Sequence, residues 1–135
     1  MNDELRFSID EAKLALGRLE SAARDLDTAA VAAIDADAAL RQAKATLDDW
    51  DAVLLLEAGR LGVLDGKNAE TRDAQFRGYR AASADWTEAT AAHENATVSA
   101  AQARQAAESA AARYTVAKEA VRLHVALIGL LGRGL

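Results

Sequence analysis

Cysteine and proline are absent from this 135-residue chain, glycine occurs eight times, and aromatic residues make up only 4%. The missing cysteine excludes disulfides, thiolate zinc sites and cysteine nucleophiles together. The missing proline means that no residue lacks the backbone N–H a helix needs. Few aromatics, and 35 alanines within the apolar 51%, leave little side-chain volume to fill a layered core. Long apolar runs are missing too: Val125 to Leu131 is broken by Gly129 and is far too short to span a bilayer. The opening Met1-Asn2-Asp3-Glu4-Leu5-Arg6 has no basic segment leading into an apolar one. These absences point to a cytoplasmic protein of one domain with no membrane contact. Sixteen basic residues against twenty-one acidic ones give a net charge of −5, which argues against a surface that is polyanion-binding throughout.

What remains is helix-forming. Gly59, Gly62 and Gly66 fall within eight residues, Asp65-Gly66 is a strong turn dipeptide, and Asn68 suits a helix N-cap. Ser8 with Glu11 three residues on reads as a capping box. The pattern predicts an all-α chain: a long antiparallel helical hairpin, an alanine-rich coiled coil, with helix one over about 8–61, a turn over about 62–68 and helix two over about 69–131. At 1.5 Å per residue the arms would be roughly 80 and 95 Å long.

Counting by alternating threes and fours from Tyr79 gives Tyr79, Ala82, Trp86, Ala89, His93, Ala96, Ala100, Ala103, Ala107, Ala110, Tyr114, Ala117, Val121, His124, Ile128 and Leu131, with no acid, lysine or arginine among them. Alanine holds half of this seam and lets a partner backbone approach closely. Helix one starts alike with Ile9, Ala12, Leu16, Leu19, Ala23, Leu26, Ala30 and Ala33, but the same phase then reaches Asp37, Lys44 and Asp51. Restarting gives Leu40, Ala43, Leu47, Trp50, Leu54 and Leu61, so a phase slip is expected between Ala33 and Leu40; loose packing over 29–39 is the alternative. Residues 1–62 carry −6 and residues 63–135 +1, which favours pairing of the arms.

Leu14, Val31, Ile34, Val53, Leu55, Leu56, Val98, Val116, Leu123, Leu127 and Leu130 lie off these seams and need a second partner. Homo-oligomerisation would supply one, with Val121, Leu123, Leu127, Ile128, Leu130 and Leu131 as the candidate assembly residues.

Catalytic signals are weak. His93 and His124 are 31 residues apart on one predicted helix, and His93-Glu94-Asn95-Ala96-Thr97 lacks the second histidine of a zincin helix. Asp35, Asp37, Asp48, Asp49 and Asp51 fall on solvated helix faces without a cleft to shift their pKa values. The turn has no phosphate-loop spacing. No enzyme, metal, cofactor or small-molecule substrate is expected. The turn does gather Arg60, Lys67, Arg72, Arg77 and Arg80 with Phe76, Tyr79 and, a little farther off, Trp86 and Trp50. Cations for phosphates and aromatic faces for bases suit single-stranded nucleic acid. Interleaved Glu57, Asp65, Glu70 and Asp73 allow the plainer reading of solvated ion pairs.

Leu56-Glu57-Ala58-Gly59-Arg60, then Asp65-Gly66-Lys67-Asn68-Ala69-Glu70-Thr71-Arg72-Asp73-Ala74-Gln75, then one Ala/Leu-rich helix, resembles the UvsY-like phage recombination mediators. The resemblance implies a phage or prophage accessory protein in a bacterial host. It implies an oligomer of helical protomers that binds single-stranded DNA and helps load a recombinase against a single-strand-binding protein. On it, Arg60, Lys67 and Arg72 would face DNA and Val125 to Leu131 would assist assembly. The alternative is a structural or inhibitory coiled coil that docks on another protein through an exposed apolar stripe, with no nucleic acid bound.

Overall fold

A computed structural model describes residues 2–134. It is all-α: α1 (Asp3–Arg60), α2 (Ala69–Ala81) and α3 (Ala84–Arg133), with α1 and α3 forming the helical hairpin that the pattern predicts. Two compact units divide it, one of residues 2–34 with 102–134 and the other of residues 35–101.

Helix α1 opens earlier than Ser8. Asn2 is its cap, with its Oδ1 accepting from the Glu4 N–H at 2.8 Å, and Asp3 and Glu4 place acid in the first turn. Ser8 lies inside the helix and is only 5% exposed, so it cannot be the cap. At the other end Gly62 takes φ +75°, Val63 N–H donates to Ala58 O at 3.0 Å and Gly62 N–H to Gly59 O at 3.2 Å. This is a Schellman stop, and its left-handed residue has to be glycine to avoid a Cβ penalty.

The protected residues of α1 correct the expected phase slip. Leu5, Ser8, Ala12, Ala15, Leu19, Ala22, Leu26, Ala29, Ala33, Ala36, Leu40, Ala43, Leu47, Trp50, Leu54 and Glu57 are all buried or half-buried. They follow one uninterrupted alternation of three and four. No slip is needed: Ala15 is 3% and Leu16 47% exposed, while Ala22 and Ala23, Ala29 and Ala30, and Ala36 and Asp37 are half-buried alike. Leu61, counted as the last seam residue, is 61% exposed because it lies beyond the last turn of α1. Alanine at the inner positions lets the backbones come close.

On the other arm, fifteen of the sixteen residues counted from Tyr79 are buried or half-buried. Ala89, Ala100 and Ala110 are the most enclosed, at 6%, 0% and 1% exposure. The exception is Ala82, which is exposed because the arm is not one helix. Ala82 caps α2, and Ser83 starts α3 by accepting Trp86 N–H on its Oγ at 3.3 Å and Thr87 N–H on its carbonyl at 3.1 Å. A serine oxygen competing for backbone donors makes this break without glycine or proline.

Candidate functional site

Within residues 35–101, the turn is held by side chains. Asn68 is the N-cap of α2, its Oδ1 accepting Thr71 N–H at 2.8 Å. Gln75 Oε1 accepts Gly66 N–H at 3.0 Å while its Nε2 donates to Asp65 Oδ1 at 2.7 Å. Arg72 Nη1 donates to Gly66 O at 3.0 Å. A Cβ on Gly66 would lie 2.6 Å from Thr71 Cγ2, so glycine is required here by close approach. Loop and helix are thus one small hydrogen-bonded body.

Next to it α2 carries Phe76, Tyr79 and Arg80. The Arg80 guanidinium lies 5.4 Å from the Phe76 ring centre and 5.0 Å from that of Trp86, and Nη1 donates to Asp51 Oδ1 at 3.3 Å. Trp86 Nε1 donates to the same oxygen at 2.8 Å. Burial, and then the neighbouring Glu57 carboxylate, raise the Tyr79 phenol pKa above the usual 10.0, with Arg60 opposing. Trp50, Val53, Leu54, Leu56, Glu57, Arg60, Ser83 and Asp85 line an open groove of about 760 Å³ nearby.

The six residues expected to meet nucleic acid separate into two sets. Arg80 and Phe76 are half-buried and engaged with each other, and Arg80 is neutralised by Asp51. Arg60, Lys67, Arg72 and Arg77 are exposed, and Lys67 and Arg77 make no ion pair among the described residues. Sequence reasoning set Asp51 aside as incompatible with a seam, yet it is the hub of this cluster. The signal for it was its proximity to Trp50 and the presence of Trp86 and Arg80, whose donors can satisfy a half-buried carboxylate.

Within residues 2–34 and 102–134, the six candidate assembly residues also divide. Val121, Ile128 and Leu131 are half-buried on the seam side of α3, whereas Leu123, Leu127 and Leu130 are exposed at 71%, 45% and 64%. Ala15 and Arg18 of α1, with Ala112, Arg113, Val116, Ala117, Ala120 and His124 of α3, line an apolar groove of about 410 Å³. Among the described residues no group of three or more histidine or acidic side chains could hold a metal, and no helix is long and apolar enough to cross a membrane. The chain matches no family model, no curated protein and no solved structure.

Proposed function

We propose that this is a non-enzymatic interaction protein, an alanine-rich helical hairpin whose outward apolar faces dock on helices of a protein partner. One observation carries the reading. Fifteen large apolar residues are exposed among the described residues, while the buried core consists of Leu5, Leu54 and five alanines. The narrow alanine seam leaves the larger side chains outside, and burying one leucine is worth about 1.5–3 kcal/mol. An apolar helix-in-groove contact uses that surface and depends little on salt.

A second reading, single-stranded-DNA binding as a recombination mediator, is supported by the exposed cations Arg60, Lys67, Arg72 and Arg77 around the turn. It is weakened by the engagement of Phe76, Arg80 and Trp86 with one another and with Asp51, which occupies the aromatic faces that would stack on bases. Light scattering on the eluting protein, alone and with a fluorescent single-stranded oligonucleotide at low and physiological salt, separates the two. A mass above 14.2 kDa that does not change with salt or DNA supports docking. Co-elution with DNA whose affinity falls steeply with salt overturns it in favour of the mediator.

A further inference from the structure

Two outward stripes converge on the groove beside the seam in the unit of residues 2–34 and 102–134. On α3, Arg113, Val116, Ala120, Leu123, Leu127 and Leu130 are spaced by alternating threes and fours, the repeat of a second helix-packing seam. Four of these six are large apolar residues, exposed at 70% for Val116 and 71% for Leu123. On α1, Glu4, Phe7, Glu11, Leu14 and Arg18 repeat in the same way, with Phe7 66% and Leu14 55% exposed. Arg18 and Ala15 line one groove with Arg113, Val116 and Ala120, so both stripes border the same side of the helix pair.

We infer that a second copy of this chain covers this side, with the α3 stripe of each copy lying on the α1 stripe of the other to make a four-helix bundle. The inference rests on the docking reading above and names its partner. Charge decides the arrangement. Residues 3–34 hold seven acidic and four basic side chains, a net −3, while residues 102–134 hold two acidic and five basic, a net +3. Laying α3 on the partner's α1 opposes these charges, whereas α3 on α3 or α1 on α1 would set like against like. The same pairing brings Leu123, Leu127 and Leu130 onto a stripe in which Phe7 lies between Glu4 and Glu11, and Leu14 between Glu11 and Arg18. The small Ala120 and Ala15 at the groove floor permit close approach.

The test combines mass with orientation. The wild-type protein is expected at twice the monomer mass, and Leu123→Lys with Leu127→Lys at the monomer mass. Because both leucines are exposed in the single chain, helicity by circular dichroism stays unchanged in that variant. Since the chain has no cysteine, single Leu14→Cys and Leu123→Cys proteins can be mixed and oxidised. A mixed disulfide-linked dimer exceeding either self-linked product is expected. Preferential self-linking of the Leu123→Cys protein overturns the arrangement. A higher mass that survives both lysines overturns the choice of surface. A monomeric wild type overturns the second copy as partner; the docking reading itself fails separately, through salt-dependent DNA binding.

Discussion

Asp51 and Trp86, thirty-five residues apart, are joined by an indole hydrogen bond of 2.8 Å onto Asp51 Oδ1. The same oxygen accepts from Arg80 at 3.3 Å, so one carboxylate ties α1 to both helices that follow the turn. Asp51→Ala leaves the Trp86 N–H without its partner and should cost about 1–3 kcal/mol in urea unfolding. In a double-mutant cycle with Trp86→Phe, a coupling near zero would show that the bond contributes nothing.

The alanine seam predicts a sharp contrast between neighbours. Ala100 is fully enclosed and Ala101 is exposed. Ala100→Leu should destabilise by about 1–3 kcal/mol through overpacking, while Ala101→Leu should be nearly silent. Equal midpoints for the two variants in chemical denaturation would mean that the helices do not approach closely at Ala100.

At the turn, Asn68→Ala should cost about 0.5–2 kcal/mol because Thr71 N–H loses its capping oxygen. Gly66→Ala should also destabilise, since its new methyl group meets the Thr71 side chain. Pairing Gly66→Ala with Thr71→Ser removes the Cγ2 methyl group and should recover part of the loss in melting temperature. No recovery would locate the strain elsewhere.

Tyr79 makes stability depend on alkaline pH. Its phenol pKa is raised above 10.0 in the folded chain by burial and by Glu57, so the unfolded chain loses this proton first. The contribution is therefore complete below pH 10 and is lost as pH rises through the folded value. Tyr79→Phe should flatten the fall in stability above pH 10, and tyrosinate absorbance should show its phenol titrating late. An unchanged alkaline limb in the variant would assign the fall to other groups.

Some features were legible because one local rule fixed them. The Asn68 cap and the glycine stop need only a side-chain oxygen or a left-handed residue at a given place. The α3 seam was legible because Glu94, Arg104, Glu108 and Lys118 fall outside it and leave one phase free of charged residues. In α1 alanine pairs such as Ala22-Ala23 and Ala29-Ala30 fit two adjacent columns equally, and both members of each pair are half-buried. Leu16, more hydrophobic than Ala15, drew the count into its own column, which runs into Asp37, Lys44 and Asp51. The Ser83 break carries no glycine or proline, and Gln75 has no local motif that reports its reach back to Asp65 and Gly66.

The sequence by itself determined that the chain is all helix, where the main turn lies, and that alanine forms the inner seam, because backbone preference and hydrophobic period are properties of short stretches. Only the tertiary structure decided that Ala15 and not Leu16 faces inward, that Asp51 gathers Trp86 and Arg80, and that Phe76 and Arg80 are occupied by each other. Those choices depend on which groups meet across the helix pair. A half-buried carboxylate is tolerable only where donors from distant parts of the chain arrive to satisfy it.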